Sequence, residues 1–174
     1  RAFPVEYKRG RPKAHRADYF DLGAEQKLFD YWTVGLDSFY KMSKNMIDEG
    51  QFGAPILLTP FNYAQGRQYG AELTVNYTHD NFTAYANASY ERAVGKNIVS
   101  SQFQFDPGDL AHIASHYIPL DHQQLGSVSA GASYRWDGTN VSADLLYGTG
   151  LRKDGATPNG GHVPEYVTVN LGLS

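Results

Sequence analysis

Three histidines are the side chains best suited to metal chemistry. His112, His116 and His122 lie in one long polar stretch that also carries Asp106, Asp109 and Asp121. The four-residue spacing of His112 and His116 would place both on one face of a helix, and imidazoles and carboxylates are common zinc ligands. The favoured alternative is a polar loop with one helical turn, because imidazoles without a third ordered ligand are common. The three histidines are therefore weak metal candidates.

The chain shows no arrangement of side chains that would carry out a reaction. No Ser-His-Asp set or spaced carboxylate pair can be placed, and the glycine-rich segment 154–161 lacks the Lys-Ser/Thr ending of a phosphate loop. The absence of cysteine excludes thiolate metal sites and cysteine nucleophiles. We predict that the protein is not an enzyme, has no catalytic residue and uses no cofactor.

A basic run at the start of the chain could bind phosphates. Lys8–Lys13 is followed by His15 and Arg16, and such runs bind nucleic acids or the phosphates of lipopolysaccharide. A solvated loop is the favoured alternative. The net charge of −3 is too small to imply a nucleic-acid partner, so none is predicted.

The elements that position these side chains are β-strands. From Tyr69 to Tyr77 the odd positions are apolar or aromatic and the even positions are polar or glycine, which is the period of a strand with one apolar face. No apolar run approaches the ~20 residues of a membrane helix, so a helical membrane protein is excluded. The same alternation recurs and predicts seven strands, close to Tyr19–Gln26, Trp32–Met42, Tyr69–Tyr77, Phe82–Glu91, Ser127–Trp136, Val141–Gly148 and Val167–Ser174.

The connections and the aromatic residues favour a membrane barrel. Short turns near 29–31, 79–81 and 137–139 alternate with long stretches at roughly 48–66, 93–122 and 152–164. Outer-membrane barrels have short periplasmic turns, long extracellular loops and aromatic girdles, and aromatic residues gather at the ends of the apolar stripes. We therefore predict an all-β chain of antiparallel transmembrane β-barrel strands. An odd number of strands with open edges predicts that further strands complete the barrel.

Charged residues on the polar faces are candidates for a ligand path, because the interior of a large barrel is polar. They could equally be solvated wall residues. The candidates are Asp37, Glu72, Glu91, Arg135 and Asp144.

Two other architectures also fit the alternation. A soluble β-sandwich that binds carbohydrate would have one packed and one wet face. A small structural or adhesive outer-membrane barrel would need an eighth strand from the first 17 residues.

Several segments resemble the TonB-dependent receptors of the bacterial outer membrane. Ala17–Leu28 resembles a strand that precedes a periplasmic turn in that family, and Gln68–Leu73 resembles its recurring strand start. Leu120–Gln124 with Ser129–Trp136, and Tyr147–Arg152 with Asp154–Gly161, are similar to its late strands. The resemblance covers nearly all of positions 17–174 and identifies the chain as part of the C-terminal half of such a barrel.

The resemblance implies a roughly 22-stranded barrel closed by a plug domain. Such a receptor takes up a scarce ligand, namely a siderophore, metal complex, vitamin or saccharide, into the periplasm. Residues 1–174 would then be a partial barrel without a plug domain. The implied partners are outer-membrane lipid and lipopolysaccharide, the remaining strands, the plug, the TonB complex acting through that plug, and a small-molecule ligand.

Overall fold

Seven long strands dominate the computed structural model, which describes residues 12–50, 59–101 and 106–174. The long strands are β1 (Arg16–Leu28), β2 (Trp32–Gly50), β3 (Thr59–His79), β4 (Phe82–Ser101), β6 (Gly126–Trp136), β7 (Thr139–Gly148) and β10 (Tyr166–Leu173). One helix, α1 (Pro107–Ser115), and the short strands β5 (Ile118–Pro119), β8 (Arg152–Lys153) and β9 (Gly161–His162) lie in the connections. The all-β fold class and the seven predicted strands are confirmed.

The long strands form one antiparallel sheet in the order β1-β2-β3-β4-β6-β7-β10, and β5 pairs with β4 beyond the end of β6. The remaining pair, β8 and β9, forms a separate ribbon. Within the described part of the chain, β1 and β10 are the two edges of the sheet and do not pair with each other. Over these residues the sheet is thus an open meander that neither closes into a barrel nor packs on a second large sheet. Residues 1–11, which belong to the segment from which an eighth strand was expected, lie outside the described part of the chain.

Three tight turns join strands at one end of the sheet, which we call the short-turn end. Asp137 and Gly138 both have positive φ, 45° and 81°, and together form the two-residue connection between Trp136 and Thr139. Two positive φ values and an Asp-Gly pair define a type I′ hairpin, whose twist matches that of the strands. Positive φ also occurs at Phe29, Asp30 and Asp80 in the other two turns. All three predicted short turns are confirmed.

At the opposite, long-loop end the predicted loop boundaries were wrong. The stretches predicted at 48–66 and 93–122 are partly strand, because β2 continues to Gly50, β3 begins at Thr59 and β4 continues to Ser101. Asn45 and Asn97 have positive φ, 51° and 60°, a conformation that asparagine tolerates better than most residues. The distorted backbone at these positions shifts the phase of the side-chain alternation, and the simple period of two is lost beyond them.

One face of the sheet, the outer face, carries large apolar side chains that nothing in the described chain covers. Leu171 is 83% exposed and Leu22 is 77% exposed. The register places such residues in cross-strand rows, for example Leu36 opposite Leu73 and Leu73 opposite Ala88. A packed face of this composition would bury them, since apolar burial stabilises by about 25 cal/mol per Å². The face is therefore built to meet an apolar environment.

Aromatic rows bound this apolar face at both ends. The Tyr40 and Tyr69 rings lie 6.1 Å apart in one boundary row, and Phe82 pairs with Tyr134 in the other. Ten residues of β3 separate the two rows, from Tyr69 to His79, the partner of Phe82. At about 3.4 Å per residue and a strand tilt of about 45°, the band is about 24 Å tall. This matches the roughly 25 Å apolar band of an outer-membrane barrel.

The buried core lies elsewhere, at the long-loop end on the opposite, polar face. It consists of Met46, Phe61, Tyr63, Ile113 and Ile118, which we call the cap cluster. The Tyr63 ring lies over Gly95 and the Met46 sulfur lies over Gly66, both of which are polar-face positions. The cap cluster packs helix α1 against the strands at the long-loop end of the sheet.

Helix α1 begins with a side-chain cap. The Asp106 carboxylate accepts a hydrogen bond of 2.7 Å from the backbone N–H of Gly108, which satisfies one of the unpaired donors of the first turn. Ile113 is fully buried in the cap cluster. No helix in the described part of the chain is long and apolar enough to cross a membrane.

Candidate functional site

The polar face forms one continuous surface across the sheet. Asp37 pairs with Glu72, Glu72 with Ser89, and Ser89 with Ser127, so hydrophilic side chains follow one cross-strand row over four strands. The hydroxyls of Ser89 and Ser127 are hydrogen-bonded at 2.7 Å. The structure therefore brings Asp37 and Glu72 together as neighbours on the predicted face.

Asp144 lies closer to the short-turn end of this face. Its carboxylate accepts a hydrogen bond of 3.0 Å from the Tyr85 hydroxyl, and both side chains lie over Gly131. Ser133 and Ser142 lie nearby and complete part of the wall of a groove of about 340 Å³. Glycine at position 131 leaves the space that the aromatic ring occupies, a cross-strand arrangement that also stiffens the sheet.

Arg135 stands apart from the other candidates. It pairs with Asn140 next to the Asp137-Gly138 turn, and its backbone N–H donates to the Asn81 carbonyl at 2.9 Å. This position is at the short-turn end, away from Glu72 and Glu91. The five ligand-path candidates are thus distributed along the polar face and do not form a single cluster.

Glu91 and His122 meet in a polar cavity at the long-loop end. The cavity has a volume of about 190 Å³, and its wall also includes Gln68, Gln123 and Gln124. The Gln123 amide donates a hydrogen bond of 3.0 Å to the Glu91 carbonyl, while its buried Oε1 has no hydrogen-bond partner among the described residues. A buried acceptor without a partner is costly, so a ligand hydroxyl or amide that donates to it would be stabilised.

The polar cavity was only partly predicted from the sequence. Glu91 and His122 were singled out for different roles, whereas Gln68, Gln123 and Gln124 were not singled out. One available signal was the pair of glutamines directly after His122, because an adjacent pair of amides in a long connection offers donors and acceptors together. What joins these residues is the path of the chain between β4 and β6.

The rings of the two closely spaced histidines are stacked, but only His112 lies within α1, whereas His116 is the C-cap of the helix and has an extended backbone. The rings of His112 and His116 lie 4.4 Å apart and nearly parallel, and His116 Nδ1 is 3.1 Å from the His112 carbonyl. His122 faces Asp121 at 3.7 Å, at the polar cavity and not beside the pair. Over the described ranges, no group of three or more His, Cys, Asp or Glu side chains could hold a metal ion. The metal role remains a weak prediction.

The structure describes only the later part of the basic run, from residue 12 onward. Residues 1–11 lie outside the described part of the chain, which leaves Lys13, His15 and Arg16. Burial, with a smaller effect from nearby Lys41, lowers the pKa of His15. At pH 7 His15 therefore carries less charge than an ordinary histidine and adds little to the run.

Comparisons with known proteins relate the fold to a family. A model of the family described as "TonB dependent receptor-like, beta-barrel" matches residues 9–174. The FrpB iron transporter from Neisseria meningitidis (F3-3 variant) has a similar structure, with a TM-score of 0.62 and 13% sequence identity over 92% of this chain. The chain spans 24% of the length of that transporter. A search of curated proteins gave no match.

Proposed function

This chain belongs to the TonB-dependent receptor-like β-barrel family, and on that premise we propose that it forms part of the wall of a bacterial outer-membrane receptor. The family consists of outer-membrane transporters and not of enzymes. The receptor would take up a scarce ligand into the periplasm. The short turns would face the periplasm, and the cap cluster would face the outside of the cell.

One observation carries this proposal, namely the division of the sheet into an uncovered apolar face and a polar face with a buried cap. Leu22 and Leu171 are exposed on the outer, apolar face, whereas Ile113 is buried on the polar face at the long-loop end. Within a membrane, this arrangement puts aliphatic side chains in contact with lipid and hydrophilic ones toward a lumen.

Further strands would complete the barrel wall, and a plug would fill its lumen. The edges at β1 and β10 carry backbone N–H and C=O groups, and leaving such groups unpaired in lipid costs several kcal/mol each. We propose that neighbouring strands of a barrel of about 22 strands pair with both edges. A plug would fill the lumen beside Asp37, Glu72 and Asp144, and the TonB complex would act through that plug.

We propose that the ligand first contacts this wall at the polar cavity beside Glu91, His122 and Gln123. Carboxylate, imidazole and amide groups can hydrogen-bond the polar rim of a siderophore or other metal complex, a vitamin or a saccharide. A metal complex is the first class to test, since the similar FrpB structure is described as an iron transporter.

Uptake by cells that produce the full-length receptor tests the function. We expect energy-dependent accumulation of at least one labelled compound from a panel of ferric siderophores, ferric citrate, cobalamin and maltooligosaccharides. Accumulation should stop when a protonophore dissipates the proton gradient or when TonB is absent. Accumulation that needs neither, or no accumulation by a correctly inserted receptor, would contradict the proposal.

The role of the polar cavity is tested by a double substitution, Glu91→Gln with Gln123→Ala. Loss of hydrogen bonds, one of them to a charged group, should weaken binding of the transported compound by about tenfold or more. Glu25→Gln is the matched control, because Glu25 lies on the polar face of β1, away from the cavity. Equal affinities for the double variant and the control would show that the ligand does not use this cavity.

A further inference from the structure

The β8–β9 ribbon is hydrogen-bonded to the connection that forms part of the polar cavity. Its two strands are joined by residues 154–160, which are exposed apart from Pro158 and Asn159. We call residues 151–163 the strap and residues 120–125 the cavity segment. No residue of the strap lines the polar cavity. Any effect of the strap on the cavity must therefore act through the cavity segment.

The cavity segment is anchored to β4 at both of its ends. Leu120 packs against the cap cluster, and its backbone N–H donates to the Ala93 carbonyl at 3.1 Å. At the other end, the Leu125 carbonyl accepts a hydrogen bond of 2.9 Å from the Glu91 N–H. The backbone of Gln123 lies between these two anchors.

The strap holds the middle of the cavity segment from the other side. The Arg152 N–H donates to the Gln123 carbonyl at 3.1 Å, and Leu151 forms an isolated antiparallel bridge with Gln124. Both glutamines line the polar cavity, and the Oε1 atom of Gln123 is the buried acceptor without a partner among the described residues. The strap thus fixes the backbone of the two glutamines whose side chains form the cavity wall.

Asn159 is the buried contact between the strap and the start of the cavity segment. It is 2% exposed, and its Nδ2 donates a hydrogen bond of 3.0 Å to the Pro119 carbonyl. Its backbone N–H donates to the Asp154 carboxylate at 3.1 Å, which closes the loop on itself. The φ angle of Asn159 is 54°, a conformation that asparagine tolerates better than most residues. A single side chain therefore joins the folded loop to the cavity segment.

We propose that the strap sets the shape of the polar cavity through the Asn159–Pro119 contact, so that docking of the strap and binding in the cavity are coupled. This inference rests on the proposed function only in taking the polar cavity as a ligand contact. The docked strap holds Gln123 in place before a ligand arrives, which lowers the cost of ordering the site. Coupling between two sites is reciprocal, so a bound ligand should also hold the strap in its docked position. Asn159 is thus a positioning residue.

Hydrogen exchange of the full-length receptor in lipid nanodiscs tests the coupling without a ligand. Asn159→Asp keeps the size of the side chain but replaces the N–H donor with an acceptor that faces the Pro119 carbonyl. We expect exchange of the Arg152 and Glu91 amides to rise about tenfold, as the loss of one buried hydrogen bond predicts. The Glu91 amide is bonded to the cavity segment and not to the strap, so a purely local effect of the substitution would not reach it.

Two further variants separate loss of this contact from loss of folding. Asn159→Gly removes the same donor, adds no charge and suits the positive φ, so it should also raise exchange of the Glu91 amide. Ala156→Asp adds the same charge at an exposed position of the strap and should leave that exchange unchanged. Exchange in the centre of β7 should be the same in all three variants. Unchanged exchange of the Glu91 amide in both Asn159 variants, or an equal rise with Ala156→Asp, would overturn the proposal.

Ligand binding provides the second arm of the test. Ferric siderophores, ferric citrate, cobalamin and maltooligosaccharides are each titrated onto the unmodified receptor and the variants. A compound that needs Glu91 and Gln123 should bind about tenfold more weakly to Asn159→Asp than to Ala156→Asp, and should slow exchange in the strap. Equal affinities for these two variants would refute the coupling and leave the proposed function intact. If none of the compounds binds the unmodified receptor, the proposed function fails, and exchange of the Glu91 amide alone decides whether the strap holds the cavity segment.

Discussion

Leu73→Arg is expected to lower the free energy of unfolding of the membrane-inserted receptor by about 2–4 kcal/mol, because a cation at the bilayer midplane of a β-barrel is destabilising by this amount. Leu73 pairs with Leu36 on the outer face, close to the middle of the apolar band. The measurement is reversible urea unfolding of the full-length receptor in lipid vesicles, monitored by tryptophan fluorescence.

Thr74→Arg is the matched control for this substitution. Thr74 is the next residue along β3 and lies opposite Gly35 on the polar face. An arginine there would extend into the lumen, where substitutions change selectivity more than stability. If Thr74→Arg destabilised the receptor as much as Leu73→Arg, the two faces would be assigned incorrectly.

Ile113→Ala is expected to release helix α1 from the long-loop end of the sheet. Ile113 has 0% exposure within the cap cluster, and truncating a buried isoleucine costs about 2–5 kcal/mol. This change should raise the rate of amide hydrogen exchange in α1 at least about thirtyfold, because local opening becomes that much more frequent. Hydrogen exchange of the full-length receptor, followed by mass spectrometry, measures it.

Leu110→Ala removes an apolar side chain from the same helix at a position that is 37% exposed. It should change the exchange rate of α1 only slightly. The Ile113→Ala variant should also weaken ligand binding at the polar cavity, since Leu120 packs against the cap cluster and lines that cavity. Unchanged exchange in the Ile113→Ala variant would mean that the cap cluster does not hold the helix.

The membrane-facing parts of the strands were predictable because one face meets lipid and the other meets water. From Tyr69 to Tyr77, each side chain follows that contrast, and the register agrees with it. Beyond Asn45 and Asn97 the contrast disappears: positive φ shifts the alternation, and the buried side chains belong to a local core. Periodicity carries no information about such a core.

The polar face was predictable residue by residue, whereas the cavity was not. Strand alternation alone predicts that Asp37 and Glu72 lie on the polar face, and the structure places them opposite each other. The meeting of Glu91 with His122 depends on where the connection after β4 folds back, which Ile113 and Ile118 determine by packing. Spacing along the sequence does not reveal such contacts.

The central claim, that the odd-numbered side chains of β3 from Tyr69 to Tyr77 face lipid, is tested most directly by spin labels. This chain contains no cysteine, so a single cysteine can be placed at each position from Tyr69 to Tyr77. The full-length receptor, with any cysteine outside residues 1–174 replaced by serine, is then studied in lipid vesicles. We predict that collisions with oxygen, which concentrates in lipid, peak at Tyr69, Leu73 and the other odd positions and fall at the even ones. An accessibility without this period of two, or odd positions that a water-soluble nickel chelate relaxes most strongly, would contradict the account.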